Sequence, residues 1–226
     1  MADTIDNPSG IVVFDTETTG LDRKNDEILQ FSACDGEGNP LINTYLRPVR
    51  HTEWPGAMAV NGITPAMVAD APTLEEMSGR IKAVLESAKT LIGYNIEFDL
   101  GFVSSIYQRP WSVRRIDVML DFAYKIYRQW DPRRKALKWQ KLVTAAKYYG
   151  YEFKAHDSMN DVLATLFVYR RMEEDLRSRE EKKAAEKAAR QRDADIKALV
   201  DADRLSWERS GDAAKLDKEF DRIFEG

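Results

Sequence analysis

Five side chains in this 226-residue chain have the types and spacing for metal and acid–base chemistry. Asp15 and Glu17 follow the apolar run Ile11-Val12-Val13-Phe14, and strand alternation puts both carboxylates on one side of its end. Two acids on one face repel, and a divalent cation between them relieves the repulsion, because oxygen-rich sites suit magnesium and manganese. Asp99 and Asp161 stand at two further element ends, and His156 lies five residues before Asp161. Four carboxylates and one imidazole are the parts that two-metal phosphodiester hydrolysis requires. Paired cations clamp the attacking and leaving oxygens, and a base with a pKa near neutrality takes a proton from water. Acidic pairs also occur on solvated strand ends, and a lone histidine is more often an ordinary loop residue. The spacing of His156 and Asp161 is what separates this set from those bland readings.

The elements that must position these groups follow from hydrophobic pattern and turn chemistry. After the strand at 11–14, the residues 27–34 read as a second strand, 35–40 as a turn and 41–46 as the returning strand of a hairpin. The chain therefore begins with three consecutive, antiparallel strands. The loop 47–56 holds His51, which has no ligand pattern around it and reads as a surface residue. Thr73 and Glu76 have the form of a capping box for a helix reaching about Ala88. Thr90 to Tyr94 is a short buried strand that switches through Asn95 into a helix expected to reach Gln108, an arrangement in which α/β proteins place ligands. Ile116-Asp117 suggests one more strand, followed by helices at 118–130, broken by Pro132, and 139–149, ended by Gly150. Ser158 is expected to cap the next helix, with Asp161 in its first turn.

Composition bounds the rest. A hydrophobic fraction of 43% and a charged fraction of 32% describe a soluble protein, with no apolar run near the roughly 20 residues of a membrane helix. No signal-peptide pattern opens the chain, so a cytoplasmic location is the default expectation. Cys34, the single cysteine, reads as a small core residue. The net charge of −4 argues against indiscriminate nucleic-acid binding, yet residues 109–147 carry 11 Lys and Arg against 3 Asp. That stretch is either a phosphate-facing surface or the solvated faces of two amphipathic helices.

Three motifs in register give the acid set a family likeness: Phe14-Asp15-Thr16-Glu17-Thr18-Thr19-Gly20-Leu21, then Gly93-Tyr94-Asn95-Ile96-Glu97-Phe98-Asp99, then His156-Asp157-Ser158-Met159-Asn160-Asp161. Over about residues 10–175 the sequence resembles the DEDDh branch of the DnaQ-like 3′–5′ exonucleases, which includes polymerase proofreading subunits, exonuclease I and ribonuclease T. The resemblance implies a ribonuclease-H-like fold of the α/β class: a mixed five-stranded sheet, its first three strands antiparallel, flanked by helices. It also implies two divalent cations, Mg2+ or Mn2+. Asp15, Glu17 and Asp161 would ligate one directly, Asp15 would reach the second with support from Asp99, and His156 would be the general base. Thr16, Thr18, Thr19 and Gly20 would hold the terminal nucleotide, Leu21 and Ile63 would pack on its base, and Asn61, Asn95 and Phe98 would complete the contacts. Two positions depart from the family: Ser158 replaces the usual alanine, and Asn61 a frequent histidine. A histidine at 156 rather than a tyrosine favours the histidine branch.

The implied activity is removal of nucleoside 5′-monophosphates from a 3′ end, DNA before RNA, with an RNA-trimming enzyme and a catalytically silent scaffold as alternatives. Residues 1–175 would form the exonuclease domain and 176–226 a charged helical extension. The last 54 residues carry 13 basic and 16 acidic side chains, and between Leu176 and Ile196 the only apolar residues are alanines. A break is expected at Ser210-Gly211-Asp212, and Trp207, Leu216, Phe220 and Phe224 are expected to pack on the domain, on a second copy in a homodimer, or on a polymerase or repair protein.

Overall fold

The computed structural model describes residues 5–210. Two compact units are distinguished, residues 1–173 and residues 174–226. The first is built on a five-stranded sheet in the order β3-β2-β1-β4-β5, with β1 (Ile11–Thr18), β2 (Ile28–Asp35) and β3 (Pro40–Tyr45) antiparallel. The strands β4 (Thr90–Gly93) and β5 (Arg114–Asp117) run parallel to β1, making the expected mixed sheet. In chain order the helices are α1 (Pro55–Asn61), α2 (Pro65–Val68), α3 (Leu74–Glu86), α4 (Ile96–Phe102), α5 (Val118–Asp121), α6 (Leu142–Tyr148) and α7 (Ser158–Ser210).

β1 is longer than its apolar run and carries the first motif within regular strand. Its Val12 and Phe14 join a core with Phe31, Ile81, Leu85 and Ile96, while Asp15 and Glu17 alternate to the opposite face, in register with Ser32 and Gln30. α7 packs on that opposite face: Leu163 and Leu166 lie beside Gly38, and the Arg170 guanidinium donates to the Gly36 carbonyl. The capping box of α3 forms as expected, Thr73 accepting from the Glu76 amide at 3.3 Å and Glu76 from the Thr73 amide at 2.7 Å.

Several boundaries differ from the sequence expectation. α4 stops at Phe102 rather than Gln108, and Gly101 in its last turn lies directly beneath Arg23. The helix expected over 118–130 is α5 followed by a π-helical turn, Phe122–Tyr127, and it ends where Arg128 turns left-handed. Pro132 does not break that helix; it lies in the turn of an unforeseen hairpin, β6 (Trp130–Asp131) with β7 (Ala136–Leu137). Ser158 is the first residue inside α7, and Asp157 caps it, accepting from the Asn160 amide at 3.2 Å.

In the second unit α7 is exposed throughout residues 179–206, as its charge pattern predicts. The expectations for 211–226, including Leu216, Phe220 and Phe224, fall outside the described residues. Among the described residues no helix is long and apolar enough to cross a membrane.

Candidate active site

β4 pairs with β1 only from Ile11 to Val13, so the far half of β1 has no strand neighbour on that side. α4 occupies the vacated edge. The Thr16 amide and hydroxyl both donate to Asp99 Oδ1, at 3.0 and 2.7 Å, which draws the carboxylate of the second motif against β1. Asn95, left-handed at φ 66°, makes the turn between β4 and α4, and its amide donates to Asp117 Oδ1 at 3.2 Å.

On the opposite face the first turn of α7 delivers Asp161. The Ser158 amide donates to Gln30 Oε1 at 3.3 Å, the Ser158 and Ser32 hydroxyls are hydrogen-bonded, and Asn43 accepts from both Gln30 and Ser32. This polar ladder sits on the same sheet face as Asp15 and Glu17 and fixes the start of α7 there. His156 precedes the helix at φ 67°, and its amide donates to Asp161 Oδ2 at 3.1 Å. Ligand atoms of Glu17, His156 and Asp161 lie within 4.8 Å of one another, with the imidazole exposed at the rim.

The electrostatics mark this as a site under strain from its own charge. Burial, then Asp99, Asp161, Glu17 and Asp157, pushes Asp15 well above the usual carboxylate range. Burial and the facing Asp161 raise Glu17 to about 7, burial raises Asp99 to about 7 despite the Thr16 hydrogen bonds, and burial raises Asp161 to about 6 although His156 partly offsets it. A crowded, oxygen-rich donor set of this kind fits hard divalent cations.

Beside the acids is an open groove of about 540 Å³, lined by residues of the first motif together with Trp54, Val60, Asn61 and Phe98. Leu21 is 84% exposed at its edge. Five of the residues expected at the nucleotide, Ile63, Thr16, Thr18, Thr19 and Asn95, are placed as follows. Ile63 is 2% exposed and packs in a small core with Leu29, Trp54 and Val68, so it offers almost no surface to a base. The threonine hydroxyls turn inward: Thr16 to Asp99, Thr18 to the Gly20 carbonyl at 2.6 Å, and Thr19 to Asp26 Oδ1 at 3.0 Å. They stiffen the wall rather than present donors. At Gly20 a Cβ would run into the Asp26 carboxylate, so a larger residue would displace the group that accepts from the Thr19 hydroxyl and the Asp22 amide. Asn61 bridges the groove wall, its side-chain amide donating to the Thr18 carbonyl at 3.3 Å and its Oδ1 accepting from the Ile63 amide at 3.0 Å. Asn95 is exposed and does not line the groove.

His51 is less idle than its loop suggested. Its Nδ1 lies 2.8 Å from Glu27 Oε2, and Glu27 also accepts the amides of Val49, Arg50 and His51. Asp157, Gln30 and Ser32 were not singled out from the sequence either. The polar alternation of Gln30 and Ser32 within an otherwise apolar strand was the available signal for the latter two.

A profile of the RNase T exonuclease family matches residues 12–169. The chain belongs to that family. An uncharacterized exonuclease of Escherichia phage 186 is 30% identical over 167 residues, covering 70% of this chain and 84% of the phage protein. A PolC-type DNA polymerase III of Caldanaerobacter subterraneus is 29% identical over 198 residues, 83% of this chain but only 13% of the polymerase. Among solved structures, a zinc-bound complex of Escherichia coli exonuclease I with single-stranded DNA superposes with a TM-score of 0.57 at 25% identity, over 70% of this chain and 39% of that one. Exonuclease I of Methylocaldum szegediense gives 0.56 at 27% identity, over 71% and 39%. The protein is a DnaQ-like 3′–5′ exonuclease with the ribonuclease-H-like sheet. In this exonuclease the matched region contains all five groups of the acid and histidine set.

Proposed function

We propose that the exonuclease removes nucleoside 5′-monophosphates from the 3′ end of DNA, acting on a single strand or a frayed end. The observation carrying this reading is the convergence of acids from three separate segments, Asp15 and Glu17, Asp99, and Asp161, on one end of β1, where burial raises all four pKa values and the neighbouring acids push Asp15 and Glu17 up further. Single-stranded DNA in the exonuclease I complex supports the choice of substrate.

Asp15, Glu17 and Asp161, with Asp99 in support, would hold two divalent cations, magnesium or manganese. Held there, such cations would supply Lewis-acid stabilisation of the phosphate oxygens and of the leaving group. The groove beside Phe98 and Leu21 receives the terminal nucleoside, and Asn61 fixes its wall. His156, exposed beside Glu17 and Asp161, takes the proton of the attacking water on a ring nitrogen as the new O–P bond forms. The P–O3′ bond breaks, the leaving O3′ takes a proton from solvent water as the exposed His156 returns its own to solvent, and the nucleotide carries the phosphate on its 5′ oxygen. The proximity of the His156 ring to two carboxylates also favours a second role as a metal ligand.

The test uses 5′-labelled single-stranded DNA, RNA of equal sequence and a duplex with a mismatched 3′ end, each with magnesium or manganese and with Asp15→Ala as control. Shortening from the 3′ end, fastest on single-stranded DNA and absent in the variant, is expected. Preference for RNA would replace the substrate, and binding without shortening would replace the enzyme with a scaffold.

A further inference from the structure

The hairpin β6–β7 carries two large indoles into solvent, Trp130 at 59% and Trp139 at 50% exposure. Trp130 pairs with Leu137 across the ladder, and Trp139 follows two residues later on the outgoing leg. Around them stand Arg128, Arg133, Arg134, Lys135 and Lys138, all exposed, with Asp131 the sole acid in residues 128–139. Asp131 Oδ1 is committed to the backbone amides of Arg133 and Arg134, at 2.9 and 3.3 Å. Among the described residues none of these five cations forms an ion pair. Exposed indoles interleaved with uncompensated cations are costly decoration for a two-residue ladder, because such a short ribbon gains little stability of its own.

The hairpin is nevertheless held in a fixed place. Buried Gln140 donates from its side chain to Gln129 Oε1 at 3.3 Å and to the Lys138 carbonyl at 3.1 Å, gripping both legs. The Gln140 carbonyl accepts from the Tyr94 hydroxyl at 2.8 Å. Tyr94 belongs to the second motif, directly before the Asn95 turn that launches α4 and Asp99. At the base of the hairpin, the π-helical turn packs Phe122 and Tyr127 against Tyr148, with centroids 5.4 and 6.1 Å apart. The platform is thus tied through one side chain and one hydroxyl to the segment that supplies a catalytic carboxylate.

We infer that this hairpin is a second binding site for the substrate strand, a platform where bases of single-stranded nucleic acid stack on Trp130 and Trp139 while the surrounding Arg and Lys hold its phosphates. The inference rests on the exonuclease reading of the cleft for the identity of the strand. Indole faces accept any base, so the platform grips without sequence preference, and guanidinium and ammonium groups add the salt-sensitive part. A duplex hides its base faces, and an acidic polypeptide has none to stack, so the indoles select single strands.

The decisive experiment measures binding rather than turnover, with the full chain carrying Asp15→Ala and oligothymidylates of about 4 and about 20 nucleotides, since one stacking groove spans about 4–16. Fluorescence anisotropy is expected to show the long strand bound at least about 10-fold more tightly, and Trp130→Ala with Trp139→Ala to erase most of that difference, as the loss of stacked bases requires. A second variant, Arg133→Gln with Arg134→Gln and Lys135→Gln, keeps the test alive if the first does not fold. It should reduce the slope of log affinity against log salt by about 2, at roughly 0.7 per phosphate contact. An unchanged length advantage in a folded variant overturns the proposal, as does equal displacement of the strand by polyglutamate, which would assign the face to an acidic protein. Failure of the unmutated chain to shorten any strand, with this length dependence intact, would remove the catalytic reading and leave the platform standing.

Discussion

Thr16 and Asp99, 83 positions apart in sequence, are joined by two hydrogen bonds to one carboxylate oxygen, so β1 holds the acid of the second motif on its own edge. The residue between Asp15 and Glu17 therefore aligns the third acid with the first two. Thr16→Val keeps the amide bond and loses the hydroxyl bond, a contact to a charged group worth about 1.5–3 kcal/mol. Nuclease activity should fall about 10-fold or more, while Thr16→Ser, which keeps both donors, should restore most of it. Equal activity in the Val and Ser variants would show that Asp99 needs no such alignment.

The acid cluster makes a signed prediction for stability. Glu17 and Asp99 titrate at about 7 and Asp161 at about 6 in the folded chain, above their ordinary values. A carboxyl whose folded pKa is raised favours the folded state below its unfolded pKa, near 4, and that contribution is lost as pH rises through 6 to 7. With a chelator present, the melting temperature should fall between about pH 5 and pH 8. Saturating magnesium should abolish most of the fall, because cation binding favours the ionised form. A melting temperature that rises over this interval in chelator would show that the acids are not crowded.

Asp161→Asn should separate stability from function. It removes one charge from Asp15 and Glu17, so the metal-free variant should melt higher than the parent at pH 8, where the parent cluster is ionised. Hydrolysis should nevertheless drop by about 10³-fold or more, since the barrier is lowered by charge placed at the reacting phosphate. A variant that melts lower would point instead to the His156 amide contact as the dominant role of Asp161.

His156→Ala distinguishes the two roles open to this imidazole. As a general base its loss should cost about 10²–10⁴-fold in kcat, with metal affinity little changed. As a ligand its loss should raise the magnesium concentration needed for half-maximal activity by a comparable factor. Titrating the variant with magnesium and manganese at several pH values reads both.

The hydroxyl pair under the site gives a directional test. Ser32 donates its proton to Asn43, so the proton in the Ser32–Ser158 contact comes from Ser158. Ser32→Ala strands the fully buried Ser158 hydroxyl and should cost about 1–3 kcal/mol, whereas Ser158→Ala leaves Ser32 bonded to Asn43 and should cost about 1 kcal/mol or less. Denaturant melts of the two variants measure the difference, and the reverse order would reverse the donor assignment.

Much of this was legible in the sequence where a residue's chemistry and its element agree. The strands β1, β2 and β4 follow apolar runs, the first two motifs stand where the runs of β1 and β4 end, and the third opens α7. The threonine hydroxyls were legible as polar groups but not in their direction, since Thr16 reaches Asp99 only because β4 stops short of it. Ile63 was placed against the base by family resemblance alone, and its packing with Leu29, Trp54 and Val68 buries it. The hairpin at 130–137 escaped notice because two-residue strands leave no periodicity, and its Pro132 reads equally well as a helix breaker. Asp157 was hidden beside Ser158, where either residue is an acceptable cap by type and only the contact of Ser158 with Ser32 decides between them.

The site closes through the first turn of α7, which brings Asp161 and His156 to carboxylates near the opposite end of the chain. During synthesis, Asp15, Glu17 and even Asp99 leave the ribosome well before their last partners do. On the proposed function, a nascent chain that ends before residue 161 lacks one of the acids and would not cut. The order of the motifs would then act as a safety catch, since the last acid is supplied by the first turn of α7, long after Asp15 and Glu17 have been made.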